Sequence, residues 1–345
     1  MSEGRQGPAE TGPGGVDLRE RSRRRDVSGI LVLDKPVGMT SNAALQRVRR
    51  LYRARKAGHT GSLDPLASGV LPICLGEATK ISGLLLEAPK TYEVSARLGA
   101  RTDTGDAEGR VVEQQDWSNV TMDRVLAVMD AFRGRIEQVP PMYSALKQQG
   151  RRLYELARKG ETVERPPRPI MIYSLDAVSL DGPDLGFRVR CSKGTYVRTL
   201  VEDLAAALGT VAHVSYLRRV EAGSLDQSRM VGLTELERVA EKGLDALDSL
   251  LQAPDEALPE VPAVRLDADQ ARRVQWGQRI EGTGDGAGTV RLYGPDGIFL
   301  GLGQRGENGV LAPRRLFRTP GPEAGAGDGE SDSSEVVADS HGEVQ

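Results

Sequence analysis

The sequence predicts an α+β domain followed by a small β domain, and three observations support this fold class. Helix-like and strand-like apolar patterns are mixed from residue 28 to about residue 252. A Pro-rich linker, QAPDEALPEVPA, comes next. Beyond it, residues 261–317 consist of short apolar runs punctuated by glycine, which is typical of a small β-barrel or roll. The 345 residues suffice for about two domains and a real core.

The composition is that of a soluble globular protein, and it excludes several classes. Hydrophobic residues make up 39% of the chain and charged residues 28%, and no apolar run approaches the roughly 20 residues of a membrane span. The N-terminus lacks the apolar run of a secretory signal. Cys74 and Cys191 are too few for a disulfide framework or a zinc ribbon. We therefore expect a cytoplasmic enzyme or binding protein.

Charge is distributed unevenly along the chain. The formal net charge is −3, but residues 319–345 contain seven acids and no Lys or Arg. Without this segment, 46 Lys and Arg stand against 42 Asp and Glu, which leaves a charge of +4. Residues 1–27 are rich in Gly, Pro, Arg and Glu and nearly free of apolar residues. We expect disorder at both ends and a mildly basic folded part. A net charge of this size does not by itself identify a polyanion as the partner.

The first elements of the α+β domain follow from apolar runs and turn residues. GILVLDKP predicts a buried strand that ends in a turn at Pro36 and Gly38. Ser41 or Asn42 is expected to cap a helix through AALQRVRRLYRARK, which has one apolar side and one basic side. A Gly-rich stretch follows, and then TYEVSARLG predicts a strand and MDRVLAVMDAFRG a helix.

The later elements surround a long insertion. Residues 138–170 have Pro at both ends and basic residues throughout, which indicates an insertion into the domain. IMIYSLDAVSL and GFRVRCS predict strands, and TYVRTLVEDLAAALG predicts a strand that runs into a helix. TELERVAEKGLDALDSLLQ has a regular apolar period and predicts one more helix.

The sharpest local feature is the segment GHTGSLDPLASGV, residues 58–70. Turn residues surround a single acid, Asp64, which is flanked by Leu63 and Leu66. A carboxylate held beside apolar groups in a rigid loop is suited to act as a nucleophile or base. Asp64 could equally cap a helix that begins near Pro65, since Pro is favoured in the first helical turn. The residues alone leave both interpretations open.

Other polar and aromatic residues are candidates for the same site. In a strand, Tyr196 and Arg198 of KGTYVRT would share one face, and an arginine near a buried carboxylate lowers its pKa. Tyr92 offers a flat ring with a polar tip, although each of these residues also suits a core. His59 has no Cys or acid at ligand spacing, so no metal site is expected. No GxGxxG or Walker A loop is present, so no nucleotide cofactor is expected.

The acidic segment at residues 103–108 carries two weak signals. Asp103-Thr104-Gly105 matches the D-T-G of aspartic proteases, but it occurs once in the chain. The acids Asp103, Asp106 and Glu108 lack the 12-residue pattern of a calcium loop. Neither signal supports a site of its own.

Six motifs occur together in a specific order: SGILVLDKPVGMTS, GHTGSLDPLASGVLPICLGEATK, TYEVSARLGARTDTGDAEG, QVPPMYSALK, GTYVRTL and HVSYLRR. Together they resemble the TruB family, the bacterial tRNA pseudouridine-55 synthases, from about Ser28 to Arg219. The resemblance implies a pseudouridine-synthase core with a mixed, mainly antiparallel sheet flanked by helices and a C-terminal PUA-type RNA-binding domain. It also implies an isomerisation of uridine 55 in the T loop of tRNA to pseudouridine, without any cofactor.

The resemblance also assigns roles to single residues. Asp64 matches the aspartate that attacks the target uridine, which is flipped out of the stack first. Tyr92 matches the tyrosine that stacks on the flipped base, and Arg198 matches the arginine that pairs with the nucleophile. Tyr196 and Leu217 match residues of the uracil pocket.

Further positions match residues that support the site or hold the RNA. His59 matches the histidine that packs in the T loop, and Lys35-Pro36 matches a motif that buttresses the active-site loop. The insertion resembles the thumb that clamps the RNA, and its basic residues are Lys147, Arg151, Arg152, Arg158 and Lys159. Contacts of these residues with phosphates should make binding salt-dependent.

The expected organisation has four parts: an N-terminal extension (1–27), a catalytic domain (28–252) with a thumb at about 137–168, a PUA-like domain (261–318) and an acidic tail (319–345). The expected partner is the T stem-loop of tRNA, bound by a monomer. Two alternatives stay open: a pseudouridine synthase that acts on another RNA, and an RNA-folding chaperone that uses the same fold. A hydrolase that uses Asp64 is disfavoured, because the sequence shows no leaving-group or metal machinery.

Overall fold

The computed structural model describes residues 24–318 except residues 145, 149, 158, 162 and 282–285. Most of the disorder predicted at 1–27, and all of it at 319–345, falls on residues outside this range. For residues 24–27 the prediction is wrong, because Val27 is buried and Arg25 pairs with Asp248. The helices are α1 (Ser41–Leu51), α2 (Ser82–Glu87), α3 (Met122–Ala131), α4 (Leu153–Ala157), α5 (Val197–Leu208), α6 (Leu233–Ala240), α7 (Leu244–Asp248) and α8 (Ala268–Gln275). The strands are β1 (Gly29–Lys35), β2 (Ala57–His59), β3 (Ser68–Leu75), β4 (Lys90–Leu98), β5 (Ala100–Thr102), β6 (Val111–Gln114), β7 (Gly134–Gln138), β8 (Lys147–Gln148), β9 (Arg151–Arg152), β10 (Arg168–Asp181), β11 (Asp184–Cys191), β12 (Ala212–Ala222), β13 (Leu225–Asp226), β14 (Val231–Gly232), β15 (Ala263–Arg265), β16 (Ile280–Glu281), β17 (Gly288–Tyr293), β18 (Phe299–Arg305) and β19 (Val310–Leu316).

A ten-stranded sheet forms the centre of the first domain. Its main path has the order β14-β1-β3-β12-β4-β11-β10-β7, with β2 paired to β3 and β13 paired to β12. The pairs β1–β14 and β3–β12 are parallel, and the remaining described pairs in this sheet are antiparallel. This confirms the mixed, mainly antiparallel sheet that the resemblance implies.

Strand alternation divides the core of this domain between the two faces of the sheet. Leu31 and Leu33 of β1 point to the face covered by α1, α3 and α5. Ile30 and Val32 point to the other face, which packs against the segment Gly76–Glu87 and the C-terminal domain. Both faces of β1 are therefore buried, which explains its continuous apolar run.

The predicted cap of α1 is wrong. Thr40 is the N-cap residue, and its Oγ1 accepts a hydrogen bond from the amide of Ala43 at 3.1 Å. Ser41 lies inside the helix, and its hydroxyl is bonded to the backbone of Leu63 instead. The helix ends at Leu51 and the chain turns at Arg53, which has a φ of +50°. The predicted helix is therefore a turn too long.

The expected strand at Tyr196–Arg198 is also wrong. Tyr196 is the N-cap residue of α5, which starts at Val197. The side chain of Gln138 holds Tyr196 in place, accepting from its amide at 2.8 Å and donating to its carbonyl at 3.1 Å. Such contacts between distant segments override the local preference of β-branched and aromatic residues for strands.

The helix predicted over TELERVAEKGLDALDSLLQ is divided in two. Helix α6 ends at Ala240 and α7 begins at Leu244, and Gly243 between them has a φ of +111°. A φ in this range is easily reached by glycine and rarely by other residues. The apolar period continues across the break, which is why the sequence suggested a single helix.

The C-terminal domain is the small β domain that the sequence predicts. Its five-stranded sheet has the order β15-β17-β18-β19-β16 and buries its own apolar cluster with α8. It also contacts the first domain: Lys80 Nζ donates to the carbonyl of Leu316 at 2.7 Å, and the amide of Arg318 donates to Glu77. In the described part of the chain, the helices are too short or too polar to cross a membrane.

Candidate active site

Asp64 lies in the loop that connects β2 to β3, residues 60–67. Side chain and backbone groups before and within α1 hold this loop from one side. The Ser41 hydroxyl accepts from the amide of Leu63 at 2.8 Å and donates to its carbonyl at 3.1 Å. The amide of Gly38 donates to the carbonyl of Pro65 at 2.8 Å. No helix follows Asp64 here, since the described chain bends and enters β3 at Ser68, so the alternative of a helix cap is wrong.

Arg198 forms an ion pair with Asp64. Its Nε lies 2.9 Å from Asp64 Oδ2, while Nη1 and Nη2 each donate to a backbone carbonyl, of Thr104 and Tyr143, at 2.7 Å. The side chain of Arg198 is 6% exposed and that of Asp64 is 44% exposed. The guanidinium is therefore fixed by three contacts, and the carboxylate is the member of the pair that a bound molecule can reach.

The pKa of the Asp64 carboxyl is raised above its ordinary value of 3.8. Burial by the surrounding protein is the largest cause, and the charge of Arg198 opposes it. Asp106, whose Oδ2 lies 3.9 Å from Arg198 Nε, raises the pKa further. Because water still reaches 44% of the side chain, solvent screens part of these effects. Arg198 lowers the pKa of Asp64 as expected, but burial raises it by more.

Tyr92 and Leu217 approach the same site from neighbouring strands. Tyr92 lies in β4 opposite Arg219 of β12, and Leu217 lies two residues earlier in β12. Burial raises the pKa of the Tyr92 hydroxyl, the positive charge of Arg219 opposes that rise, and the charge of Asp64 adds to it. Leu217 is 6% exposed and belongs to the same apolar cluster as Leu63. Tyr92 is therefore close enough to Asp64 for the two groups to interact electrostatically.

Tyr196 completes the group around Asp64. Burial raises the pKa of its hydroxyl, the nearby Ser144 opposes this, and the negative charge of Asp64 contributes to the rise. The structure thus brings together Asp64, Tyr92, Tyr196 and Arg198, although Tyr196 and Arg198 belong to a helix start and not to a strand.

Lys35 lies beneath the loop and is fully buried. Its Nζ donates to the carbonyls of Pro36 at 2.9 Å, Met39 at 2.5 Å and Pro65 at 3.5 Å. Burial lowers the pKa of Lys35 to about 8, and the nearby Asp64 charge opposes this. Pro36 itself is exposed. The ammonium connects the end of β1 to the residue that follows Asp64.

The remaining predicted residues lie in β2 and in the thumb. His59 is half-buried at the end of β2, where it pairs with Ile73. Lys147 pairs with Arg152 in the short hairpin β8–β9, which also contains Arg151, and Arg151 lies 3.5 Å from Glu161. The side chains of Lys147 and Arg152, and all of residue 158, lie outside the described part of the structure, and Lys159 is exposed.

Sequence reasoning missed three residues that organise this site. Asp106 is 5% exposed, and its carboxylate accepts from Thr104 Oγ1 at 2.6 Å. The signal for it was an acid in a Gly-rich loop after a strand, the same pattern that singled out Asp64. Gln138 and Arg219 gave no comparable signal, because their partners are backbone groups of distant segments.

This arrangement can bind a planar ring and attack it. An ionisable carboxylate is held by an arginine in a rigid loop, with tyrosines beside it, which suits a nucleophile facing an aromatic substrate. Among the described residues, no group of three or more His, Cys, Asp or Glu is placed to hold a metal ion.

Comparisons with known proteins decide the family. The family model for the N-terminal domain of TruB family pseudouridylate synthases matches residues 49–197. A tRNA pseudouridine synthase B from Nitrosococcus oceani is 52% identical over 300 residues, which cover 87% of this chain and 97% of that protein. The chain belongs to the TruB family of pseudouridine synthases. A protein of the same name from Stutzerimonas stutzeri is 53% identical over 86% of this TruB chain and 97% of its own length. Another from Haemophilus influenzae is 50% identical over 84% of this chain and 93% of its own length.

The likeness extends through the rest of this TruB protein. Residues 198–259 match the model described as the tRNA pseudouridylate synthase B C-terminal domain, and residues 262–317 match Pseudouridine synthase II TruB, C-terminal. Among solved structures, the chain is similar to one of a Cbf5–Nop10–Gar1 complex, with 26% identity and a TM-score of 0.65 over 87% of this chain and 86% of that one. The resemblance stated from the motifs and the pseudouridine-synthase fold are therefore confirmed.

Proposed function

We propose that this TruB protein converts uridine 55 in the T loop of tRNA to pseudouridine. The observation that carries the proposal is the ion pair between Asp64 and Arg198, with 2.9 Å between Nε and Oδ2, in a site lined by two tyrosines. The relatives that share about half of its residues are named tRNA pseudouridine synthase B. The reaction is an isomerisation, so its atoms balance without a redox partner or a group donor.

In the proposed mechanism, the target uridine leaves the RNA stack and enters the site. Extrusion costs a few kcal/mol and is cheapest for a loop nucleotide. Tyr92 offers its ring to the flipped base, and Tyr196 and Leu217 form the walls. Asp64 attacks as the carboxylate, the base separates from the ribose at N1, and it reattaches through C5. The bond to Asp64 then breaks, C5 loses its proton and N1 gains one, so that the product is an isomer of the substrate. The charge of Arg198 favours the ionised form of Asp64, and the contact with Nε holds the carboxylate in its orientation.

We propose that the RNA is held by surfaces on both sides of this site. His59 would fill the place that the extruded bases leave in the T loop, and Lys35 with Pro36 would support the loop of Asp64. In the thumb, Lys147, Arg151 and Arg152 would contact phosphates. The thumb begins beside the site, since Tyr143 and Ser144 contact Arg198 and Tyr196.

The same proposal assigns the domains and the cellular setting. A catalytic domain at 28–252, with its thumb at about 137–168, and a PUA-like domain at 261–318 agree with the separate ten-stranded and five-stranded sheets. Each domain would contribute to binding one tRNA, so we propose that the protein acts as a monomer. We also propose that it acts in the cytoplasm.

The test is conversion of an unmodified tRNA transcript by the purified protein. Pseudouridine mapping at single-nucleotide resolution is expected to show modification at position 55 and at no other uridine. An isolated T stem-loop should serve as a substrate, and the same hairpin with cytidine 55 should yield no pseudouridine. Modification at another position, or only in another RNA, would contradict the assigned specificity and favour the alternative of a different RNA substrate.

A surface of the C-terminal domain supports its role in RNA binding. Trp276, at the end of α8, is 71% exposed. Arg272, Arg273 and Arg279 flank it and are exposed as well. A flat aromatic ring among guanidinium groups suits an unpaired base with its phosphates.

This surface makes a measurable prediction. The chain contains two tryptophans, Trp117 and Trp276, so Trp117→Phe leaves a single reporter. Binding of tRNA is expected to quench the fluorescence of Trp276, and Trp276→Ala is expected to weaken binding by about 5- to 100-fold. Ile298→Ala, at a residue of the same domain that is 48% exposed, is the control. Unchanged fluorescence together with unchanged affinity would rule out this contact.

A further inference from the structure

Arg219 is buried in the middle of the sheet beneath the site. It is 1% exposed and is the largest side chain that the described part of the chain buries this completely. In β12 it lies between Tyr92 on β4 and Gly69 on β3. A buried guanidinium is costly unless its N–H groups find acceptors. Its acceptors therefore indicate what the residue does.

Two of these acceptors belong to the segment that carries Asp64. Arg219 Nε donates to the carbonyl of Val70 at 2.6 Å, and Nη2 donates to the carbonyl of Gly61 at 3.0 Å. Gly61 precedes Asp64 by three residues and Val70 follows it by six. One planar group thus joins both ends of the loop and fixes their separation.

The third neighbour of Arg219 is Tyr92. The two residues are directly opposite each other in the β4–β12 pair, so their side chains lie on the same face of the sheet. The positive charge of Arg219 lowers the pKa of Tyr92, against the larger effect of burial. The guanidinium that binds both ends of the loop therefore also lies beside the ring.

We infer that Arg219 is a positioning residue, which holds the ring of Tyr92 and the loop of Asp64 in one rigid unit. Arg198 directs the carboxylate, whereas Arg219 sets the distance between the carboxylate and the ring on which the base lies. This inference rests on the proposed function. A displacement of about 1 Å between reacting groups can lower a rate by about 100-fold. Lysine keeps the charge, but its single nitrogen cannot reproduce the planar fork that joins Gly61 and Val70 beside Tyr92.

The first measurement is the single-turnover rate of Arg219→Lys with tRNA. We expect the rate to fall by about 10- to 100-fold, while the Kd for tRNA changes by less than about twofold. The plateau of the pH–rate profile should drop without a shift of its acid limb, since Arg219 bonds the loop backbone and not the Asp64 carboxyl. Arg218→Lys is the matched control, because Arg218 is adjacent in β12 and pairs with Asp34 instead.

The second measurement is a double-mutant cycle with Tyr92→Phe, which removes the hydroxyl and keeps the ring. Arg219→Lys should cost at least about fivefold less in the Tyr92→Phe protein than in the wild type. Tyr92→Phe alone tests the contact with the guanidinium from its other end with Arg219 in place, and it should lower the rate while the melting temperature stays close to wild type. Equal losses in both backgrounds, or a matched loss of rate and affinity, would overturn the inference. Wild-type protein gives the reference rate on the same tRNA, so a lack of pseudouridine there contradicts the proposed function, whereas additivity contradicts only the role of Arg219.

Discussion

Asp64→Asn is expected to abolish pseudouridine formation while the affinity for tRNA stays largely intact. The amide has nearly the shape of the carboxylate, but it carries no charge and is a poor nucleophile. Loss of the attacking group should lower the single-turnover rate by about 10⁴-fold or more. The side chain is 44% exposed and, among the described residues, its tip bonds only Arg198, so the loop should keep its conformation through Ser41 and Lys35.

The matched control for this variant is Asp103→Asn. Asp103 is an exposed acid in a neighbouring loop, and its Oδ1 accepts from the amide of Arg110, a bond that asparagine retains. Pseudouridine formation is measured as the release of tritium from tRNA whose uridines carry tritium at C5, and binding is measured with a filter assay. Near wild-type conversion by Asp64→Asn would show that the nucleophile is another residue. If the inactive variant still refolds misfolded tRNA, the protein also has the chaperone function that the sequence left open.

Arg198→Ala is expected to lower the single-turnover rate by about 10²- to 10³-fold, with a much smaller effect on tRNA affinity. The guanidinium is the cation that faces both Asp64 and Asp106, and its other nitrogens bind the backbone of Thr104 and Tyr143. Removing it leaves two acids near each other without their common partner. Arg198→Lys should fall between the wild type and Arg198→Ala, because it restores charge but not the planar set of contacts.

The pH dependence gives this prediction a second readout. Asp64 reacts as a carboxylate, so the rate should fall as the pH drops through its pKa. Burial already raises that pKa above 3.8, and the charge of Arg198 opposes the rise. Removing Arg198 therefore raises the pKa further and should move the acid limb of the rate profile to higher pH. An unmoved acid limb, or an equal loss of rate and affinity, would indicate a plain phosphate contact instead.

The candidate site could be found in the sequence because its chemistry is concentrated in short, ordered motifs. Asp64 is a lone acid among turn residues, and such a position is hard to explain by packing alone. Tyr92, Tyr196 and Arg198 are individually ambiguous, since each also suits a core. Only the resemblance to the TruB family connected them to Asp64, and the structure then placed all four close together.

The errors arose where a distant segment replaced a local partner. Ser41 has the composition of a helix cap, yet its hydroxyl bonds Leu63, and Thr40 caps the helix. The run at Tyr196 has strand propensity, yet Gln138 fixes the backbone there and a helix begins. In both cases the hydrogen bond that decides the conformation joins residues at least 22 positions apart.

The sequence by itself determined the sheet-forming runs, most helices, the small β domain and the residue that carries the charge. Local patterns of apolar and turn residues encode these features, because burial and backbone geometry depend on neighbours in the chain. Only the tertiary structure decided how that charge is held: that Arg198 binds it from the start of a helix, that Asp106 shares this arginine, and that Arg219 binds both ends of the loop. These contacts depend on strands and helices that are distant in sequence, and local propensities carry no information about which distant groups will meet.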